Sequence, residues 1–320
     1  MNPLLTILDD WEGLIQASAC WKQLENRVEI RFLKKPIESV SDGEIEQTQF
    51  LMALRERTPL NEKVFQRMPE LKLILQTGGH AYHIDIVAAQ KRNILIALGR
   101  RVKAPLNSVP ELTFAFMLGL LHKVYSGNQM MQNGEWSRLT GRTLSGRRLG
   151  ILGLGRHGSR VAHIASTAFN MEVVAWERSG NNYESNDNIK RLPLDELLST
   201  SDVISIHLRF SKESAGLMDK ERLAKMKKNA ILVNTSRGAI IDEDALAEAL
   251  TVGKLAGAGL DVFVQEPLPV DSPLRKLDNV ILTPHIGWTV EEVFEEFAQI
   301  ACTQLIQYLE GTLSKSELLS

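Results

Sequence analysis

Three polar residues in the second half of the chain have side chains suited to anion binding and proton transfer: Arg237, Glu266 and His285. Arginine presents a planar, permanently charged fork that fits a carboxylate and an adjacent carbonyl oxygen. Histidine transfers protons near neutral pH, and a carboxylate bound to its second ring nitrogen favours the imidazolium. The three residue types together predict acid–base chemistry on a compound with a carboxylate next to a carbonyl oxygen.

Each of these residues follows a short apolar segment that has the character of a buried strand. The segments are residues 231–233, 258–263 and 280–282. In an open parallel sheet, ligands bind beyond the carboxyl ends of the strands, so Asp261 and the three residues above are expected at one edge. Each also has a structural alternative: Arg237 as a strand-end ion pair, Glu266 as a solvated turn residue, His285 as a buried core histidine. Their joint occurrence favours a site.

A glycine-rich turn earlier in the chain indicates which cofactor this edge would hold. Gly153, Gly155 and Gly158 form a G-x-G-x-x-G motif between a predicted strand and a predicted amphipathic helix. The first glycine permits the tight turn, the second lets the backbone approach a pyrophosphate, and the third lets helix and strand pack closely. The backbone N–H groups of Arg156 and His157 then bind the diphosphate at the helix N-terminus. The alternative is a structural strand–turn–helix with a chance cluster of glycines.

The acidic residue at the end of the next predicted strand supports the dinucleotide interpretation. Glu177 lies 177 − 158 = 19 residues after Gly158, close to the spacing of about 20 residues at which a carboxylate binds the adenosine ribose. A carboxylate repels a 2′-phosphate, so NAD is favoured over NADP. The adjacent Arg178 weakens this preference, because a cation would attract that phosphate.

Apolar runs alternate with segments of helical periodicity, which predicts an α/β fold with mainly parallel sheets. The predicted strands are residues 6–8, 73–75, 94–97, 149–152, 173–176, 203–207, 230–233, 258–262 and 280–282. The predicted helices include residues 111–125, residues 159–169 and an amphipathic segment from Phe294 to Tyr308. A basic, proline-containing connection at residues 100–110 separates about a hundred N-terminal residues from the glycine motif.

Composition excludes several classes of protein. The 320 residues suffice for two domains, and 44% hydrophobic residues, 24% charged residues and a net charge of −2 are typical of a soluble globular protein. No charge asymmetry suggests nucleic-acid binding, and neither a signal peptide nor a membrane span is predicted. Cys20 and Cys302 have no neighbours at metal-ligand spacing and form no disulfide framework, which favours a reducing, cytoplasmic compartment.

Six segments resemble the D-isomer-specific 2-hydroxyacid dehydrogenase family. They are PELTFAFMLGLL (110–121), GLGRHG (153–158), VISIHL (203–208), NTSRGAIIDEDAL (234–246), GAGLDVFVQEPLP (257–269) and NVILTPHIG (279–287). The resemblance implies two Rossmann-like domains with doubly wound parallel sheets. Residues 1–102 and 288–320 would form a flavodoxin-like substrate-binding domain, and residues 103–287 the NAD-binding domain.

The resemblance also implies roles for the three residues named first. Arg237 would bind the substrate carboxylate and C2 oxygen, His285 would protonate the carbonyl oxygen as hydride arrives, and Glu266 would keep His285 protonated. The implied activity is the reversible, NAD(H)-dependent reduction of a 2-oxo acid to a D-2-hydroxy acid. Glu266 argues against formate oxidation, because the formate dehydrogenases of this fold pair the histidine with a glutamine.

Further residues matching the family are expected around the cofactor. Asp261 would hold the nicotinamide end, Thr235, Ser236 and His207 would line the cofactor cleft, and Gly287 would let the chain pass close to the nicotinamide.

The substrate loop departs from the family pattern. Gly78 and Gly79 would bind a carboxylate through their amides, but His80 replaces a common glycine and would narrow or polarise the pocket. Trp288 either walls the substrate site or packs between domains. His80 and His83 are spaced like a metal pair, but no third ligand is evident and no metal is predicted.

The family resemblance implies a homodimer formed through the nucleotide domain. It also leaves a second function open: a dinucleotide-sensing regulatory binding protein of the same fold. Turnover of 2-oxo acids separates the enzyme from that alternative.

Overall fold

The computed structural model describes residues 2–178 and 189–319. Its contacts divide the chain into two compact units, the first Met1–Ala104 with Thr289–Ser320 and the second Pro105–Trp288. The sequence predicted 1–102 with 288–320 and 103–287, so the observed division differs at residues 103–104, which lie in the first unit, and at Trp288, which lies in the second. The reason is local: Trp288 directly follows a turn that is hydrogen-bonded to Asp261 within the second unit.

The first unit is built on a five-stranded parallel sheet with the order β2-β1-β3-β4-β5. Its strands are β1 (Leu4–Ile7), β2 (Glu29–Phe32), β3 (Thr48–Ala53), β4 (Leu73–Gln76) and β5 (Leu95–Leu98). Its N-terminal helices are α1 (Leu14–Ala17), α2 (Asp42–Ile45), α3 (Glu62–Gln66) and α4 (Ile86–Lys91), with 3-10 turns at Ala19–Leu24 and Ile37–Ser39. This strand order is that of flavodoxin-like folds.

The second unit carries a seven-stranded parallel sheet with the order β12-β11-β10-β9-β6-β7-β8. Its strands are β6 (Arg148–Leu152), β7 (Glu172–Trp176), β8 (Lys190–Arg191), β9 (Val203–Ile206), β10 (Ile231–Asn234), β11 (Gly257–Leu260) and β12 (Val280–Leu282). Its helices are α5 (Pro105–Leu121), α6 (Val124–Gln132), α7 (Arg156–Phe169), α8 (Leu194–Thr200), α9 (Lys220–Lys225) and α10 (Glu243–Thr251), with 3-10 turns at Gly238–Ile240 and Pro273–Lys276. The chain then returns to the first unit through α11 (Glu291–Leu309) and a 3-10 turn at Lys315–Glu317.

The order of the seven strands places the glycine turn where ligands bind. Strand order reverses between β6 and β9, and this reversal point of a doubly wound sheet forms a crevice outside the strand ends. The central strands are nearly continuous apolar runs because helices cover both faces of the sheet, each face with its own buried cluster. The predicted α/β class with two parallel, doubly wound sheets is confirmed. Within the described residues, none of the helices has the length and apolarity needed to cross a membrane.

Three strands were missed by the sequence prediction. The edge strand β2 has the sequence Glu-Ile-Arg-Phe and is exposed or half-buried along its length, so it lacks the apolar run of a buried strand. The strand β8 is a two-residue edge strand of a lysine and an arginine. The strand β3 begins with polar Thr48 and Gln49, which hid the apolar residues that follow.

The boundary segment was also predicted wrongly. The helix α5 begins at Pro105, within the predicted connection, and ends at Leu121 rather than continuing to residue 125. Proline is compatible with the first turn of a helix, where its missing N–H has no intrahelical partner, so Pro105 starts α5 instead of preceding it. The predicted helix is then broken at Lys123, whose φ of 59° is left-handed, and α6 begins at the next residue.

Candidate active site

The three glycines after β6 are constrained in different ways. Gly153 has a φ of +96°, and a Cβ on Gly158 would lie 2.0 Å from the carbonyl oxygen of Gly153. A Cβ on Gly155 would meet nothing within 4 Å. Gly153 and Gly158 are therefore needed for the turn and for helix packing, whereas Gly155 leaves open space in front of the N-terminus of α7. The fourteen-residue helix α7 starts at Arg156, so its first N–H groups face that space, which fits a diphosphate.

The two histidines near this turn are uncharged at neutral pH. Burial, and then the charge of Arg156, lower the pKa of His157. Burial, with a smaller effect of His157, lowers the pKa of His207 to about 3. The Oγ of Ser205 lies 2.8 Å from Nε2 of His207 and anchors the ring below the glycine turn. The N-terminus of α7 therefore attracts an anion through its backbone dipoles and Arg156, with no contribution from histidine charge.

The two charged residues that follow β7 have separate partners. Oε2 of Glu177 lies 3.5 Å from Nε of Arg191, a residue on β8 that the sequence did not single out. Nη1 of Arg178 donates to Oγ of Ser211 at 2.7 Å and pairs with Glu213 at 3.0 Å. Glu177 is thus the acidic group next to the end of β7, and Arg178 is held in an exposed ion pair.

Asp261, at the end of β11, shapes the turn that carries His285. The residue is 2% exposed, and its carboxylate accepts three hydrogen bonds from the segment after β12. The donors are the hydroxyl of Thr283 at 2.5 Å, the backbone N–H of Ile286 at 2.8 Å and that of Gly287 at 2.9 Å. These bonds hold His285 in a left-handed conformation with φ of 55°, which is uncommon for a residue other than glycine. Burial raises the pKa of Asp261, partly offset by these three donors and by the charge of His285.

The second turn, after β10, is organised by Asn234. Its buried amide accepts from the backbone N–H of Ser236 at 3.0 Å and donates to the carbonyl of Arg237 at 2.9 Å. The hydroxyl of Ser236 donates to the carbonyl of Ile206 at 2.6 Å, which ties the turn to β9. Thr235 lies 3.2 Å from Thr113 of α5, measured between the two hydroxyl oxygens.

The side chain of Arg237 extends from this turn, with Nη1 donating to the carbonyl of Ser236 at 2.7 Å. Its positive charge is close enough to Glu266 to lower the pKa of that carboxyl. The turn therefore places one permanent cation near the carboxylate that pairs with His285.

His285 and Glu266 form a direct hydrogen bond. Nδ1 of His285 lies 2.7 Å from Oε2 of Glu266, while the other carboxylate oxygen accepts from the backbone N–H of Phe263 at 3.0 Å. Burial alone would raise the pKa of Glu266, but the bond to His285, its charge, the Phe263 donor and Arg237 outweigh burial, so the pKa is lowered. The carboxylate is therefore ionised at neutral pH and stabilises a protonated imidazole.

In the first unit, the predicted substrate loop is bordered by charged side chains. Gly78 has a φ of +92°, and a Cβ there would lie 2.2 Å from Nη1 of Arg55. Oε1 of Glu56 lies 3.0 Å from Nε2 of His80, and Oε2 of Glu56 lies 3.3 Å from Nε of Arg55. The His80 ring also stacks on Tyr82 at 4.6 Å between centroids. The loop from Gly78 to His80 thus has a cation, a carboxylate and an aromatic stack beside it.

His83, the second histidine of the pair with metal-like spacing, is partly buried. Burial lowers the pKa of His83 to about 4, so its ring is neutral. Among residues 2–178 and 189–319, no group of three histidine, cysteine or acidic side chains is placed to bind a metal ion.

Several residues that position the site were not singled out in the sequence. They are Asn234, Thr283, Arg191, Arg55 and Glu56. Asn234 and Thr283 were within reach of prediction, because both are polar residues at the ends of buried strands and stand next to named site residues. The others depend on the direction in which side chains leave a bend, which residue spacing does not reveal.

A parallel sheet with a glycine-rich turn at its reversal point, and an arginine and a histidine–glutamate pair at neighbouring strand ends, is typical of NAD-dependent dehydrogenases. Comparison with known proteins agrees. Residues 114–287 match the family described as "D-isomer specific 2-hydroxyacid dehydrogenase, NAD binding domain".

Three similar proteins illustrate the match. The chain is 37% identical over 262 residues to a glyoxylate reductase of Thermofilum pendens, covering 79% of this chain and 76% of the relative. It is 33% identical over 313 residues to a hydroxypyruvate reductase of Blautia hydrogenotrophica, covering 95% and 93%. A crystal structure of D-lactate dehydrogenase from Aquifex aeolicus, complexed with NAD and lactic acid, superposes with a TM-score of 0.80 at 27% identity, covering 98% of both chains.

The chain belongs to the D-isomer-specific 2-hydroxyacid dehydrogenase family. It is an oxidoreductase that acts on CH–OH groups with NAD as cofactor, as the sequence predicted.

Proposed function

We propose that this protein uses NADH to reduce a small 2-oxo acid of the glyoxylate or hydroxypyruvate type to the corresponding 2-hydroxy acid, of D configuration where C2 is a stereocentre. The observation that carries the proposal is the 2.7 Å bond between Nδ1 of His285 and Oε2 of Glu266, beside Arg237 at the cofactor edge of the sheet. The names of relatives similar over most of their length, a glyoxylate reductase and a hydroxypyruvate reductase, support this substrate class.

We propose the residues that would hold NAD(H) from the space before α7 and from the acidic residue after β7. The N–H groups of Arg156 and His157 bind the diphosphate in the space left by Gly155, and Glu177 accepts the ribose hydroxyls. When bound, the reduced cofactor supplies a hydride to the substrate carbon. Oδ2 of Asp261 has one donor in the Gly287 N–H, so it retains acceptor capacity for the nicotinamide carboxamide.

The proton transfer falls to His285. Because Nδ1 is bonded to Glu266, the other ring nitrogen, Nε2, is the one that exchanges a proton with the substrate oxygen. In reduction, Nε2 donates its proton to the carbonyl oxygen, and the ionised Glu266 stabilises the imidazolium until that step. In oxidation, the neutral ring removes the hydroxyl proton. Arg237 binds the carboxylate and polarises the C2 oxygen through its guanidinium.

The predicted substrate-binding residues remain Gly78, Gly79 and His80 in the first unit and Trp288 in the second.

The experiment that tests the function is a panel of 2-oxo acids assayed by NADH oxidation. Glyoxylate and hydroxypyruvate are expected to be reduced faster than pyruvate, 3-phosphohydroxypyruvate and longer acids. Binding of NADH without turnover of any 2-oxo acid would refute the enzyme proposal and favour a dinucleotide sensor.

We also propose that the protein is a homodimer that acts in the cytoplasm. The segment from Val124 to Leu139 exposes five large apolar side chains, and α6 buries none of its residues within its own unit. The five are Val124, Tyr125, Met131, Trp136 and Leu139. A second copy would cover such a patch. The free thiols Cys20 and Cys302 suit a reducing compartment. Light scattering tests the dimer: wild type is expected at twice the chain mass, and Trp136→Glu at the monomer mass.

A further inference from the structure

The segment that carries Arg237 also contacts the loop that carries Glu266. A Cβ on Gly238 would lie 2.0 Å from the carbonyl carbon of Phe263, so the two backbones touch directly. Five residues after Gly238, Oε1 of Glu243 accepts the backbone N–H of Val264 at 2.6 Å. One stretch of chain thus holds the Glu266 loop at two successive residues.

The exposed part of the Glu266 loop lies between two buried residues, Phe263 and Leu268. Residues 264–267 are all exposed, so packing does not hold them. Hydrogen bonds fix the backbone at the two ends: the N–H of Val264 bonds to Glu243, and the carbonyl of Leu268 accepts from Arg275 at 2.8 Å. An exposed segment depends strongly on such anchors, and Glu243 supplies the one next to Phe263.

The capping of α10 does not explain the orientation of Glu243. The N-cap of α10 is Asp242, whose side chain accepts the N–H of Ala245 at 3.0 Å, and exposed Asp244 adds a second charge to the first turn. Burial raises the pKa of Glu243, the Val264 donor opposes this, and the charges of Asp244 and Glu266 raise it further. A carboxylate near Glu266 is electrostatically unfavourable, so its placement calls for another reason.

We propose that Glu243 is a positioning residue for the reaction: its hydrogen bond to Val264 holds residues 263–266 so that Glu266 reaches Nδ1 of His285. This rests on the proposed function in that Glu266 and His285 act as the acid–base pair. The segment that bears Arg237 contacts the Glu266 loop through Gly238 and Glu243. These contacts fix the position of Glu266, and they keep the distance from Arg237 to the Glu266–His285 pair constant.

Three substitutions of Glu243 separate the effect of its side-chain length from the effect of its charge. Glu243→Gln keeps an acceptor oxygen at the same distance but removes the charge, whereas Glu243→Asp keeps the charge but shortens the side chain by one methylene. Glu243→Ala removes both. Asp244→Ala is the matched control, because it removes a charge from the same helical turn at an exposed position.

We expect the variants to fall into two groups by their kcat. Glu243→Asp and Glu243→Ala are expected to lower kcat for the 2-oxo acid about ten-fold, as for the loss of one hydrogen bond to a charged group, with the KM for NADH unchanged. For Glu243→Gln and Asp244→Ala, kcat is expected to stay within about three-fold of wild type. This change is smaller than the loss of one hydrogen bond to a charged group would cause. Losses in the Gln and Ala variants with wild-type kcat in the Asp variant would assign the effect to charge and overturn the positioning role, as would wild-type kcat in all three.

Two measurements without substrate keep this inference distinct from the proposed function. The downfield Nδ1–H proton resonance of His285, which reports the bond to Glu266, is expected in wild type and Glu243→Gln and lost in Glu243→Asp. In wild type, amide hydrogen exchange at Val264 is expected to be slow. Exchange there at the rate of an unstructured peptide overturns the inference even if the variants fail to fold. A wild type that reduces no 2-oxo acid but retains both signals refutes the function alone.

Discussion

Replacing Glu266 by glutamine tests the acid–base pair most directly. The substitution keeps the size of the side chain and an oxygen for the 2.7 Å contact to Nδ1 of His285, but removes the negative charge. A hydrogen bond to a charged group contributes about 1.5–3 kcal/mol and a neutral one about 0.5–1.5 kcal/mol. The His285 side chain is 27% exposed and that of Glu266 37%, so solvent screens part of the charge. The imidazolium should therefore lose about 1.4 kcal/mol of stabilisation. This free energy corresponds to a shift of about one pKa unit, or a factor of about ten in the protonation equilibrium.

The sign of the effect differs between the two directions of the reaction. Reduction needs the protonated ring, so the alkaline limb of the pH profile of kcat/KM should move about one unit lower in Glu266→Gln. Oxidation needs the neutral ring, so its acid limb should move lower by the same amount, because both limbs report the apparent pKa of the same pair. At a pH well above the limb of both proteins, reduction should be about ten-fold slower in the variant.

The assay is steady-state kinetics in both directions across the pH range, with NADH affinity measured separately by fluorescence. Glu248→Gln is the control, since Glu248 of α10 forms an exposed ion pair with Lys220 of α9, and its loss should leave both profiles unchanged. Limbs that move in opposite directions, or a variant that loses only NADH affinity, would refute the assignment of Glu266 and His285 as a proton-transfer pair.

Three further predictions concern the cofactor site and its stability. Gly155→Ala is expected to keep the melting temperature of wild type and to weaken NADH binding at least about ten-fold, because the added methyl enters open space before α7. Gly158→Ala, by contrast, must displace the Gly153 carbonyl and should cost about 1–3 kcal/mol of stability by thermal unfolding; equal melting temperatures for the two variants would contradict this. Glu177→Ala should raise the NADPH/NADH ratio of kcat/KM at least about ten-fold, and adding Arg178→Ala should reverse part of the gain; an unchanged ratio would remove Glu177 as the ribose ligand. His207, whose pKa falls from 6.5 to about 3 in the folded state, remains neutral while the unfolded chain takes up a proton, so stability is full above pH 6.5 and declines as pH falls towards 3. Between pH 7.5 and pH 5 this loss amounts to up to about 2 kcal/mol, and the apo His207→Asn variant should show a correspondingly smaller drop in melting temperature.

The sequence predicted features that depend on local spacing or on the ends of parallel strands. The turn at Gly153 and the acidic position of Glu177 follow from one strand–turn–helix–strand unit, whose geometry is local. Glu266 and His285 leave different strands, but parallel strands bring their carboxyl ends to one edge, so their proximity was predictable without a three-dimensional structure. The hydrogen bond that joins them agrees with that expectation.

The contacts that the sequence did not predict depend on the direction in which a side chain points after the backbone bends. Glu243 stands in a helical first turn between two other acids, and no periodicity distinguishes the one that turns towards Val264. The contact of Arg55 with Gly78 arises because Arg55 adopts a left-handed conformation, with φ of 57°, at the end of β3. The strand β2 was missed because an edge strand needs no continuous apolar run.

Two carboxylates near His285, those of Asp261 and Glu266, have different contacts with it. Asp261 is buried, and its three donors come from the turn itself, so it holds His285 in its left-handed conformation. Glu266 is partly exposed and bonds Nδ1 of the ring directly. Burial raises the pKa of Asp261, whereas at Glu266 the effect of burial is outweighed by the bond to His285 and the pKa is lowered. The opposite pKa directions of Asp261 and Glu266 are the electrostatic consequence of these different contacts.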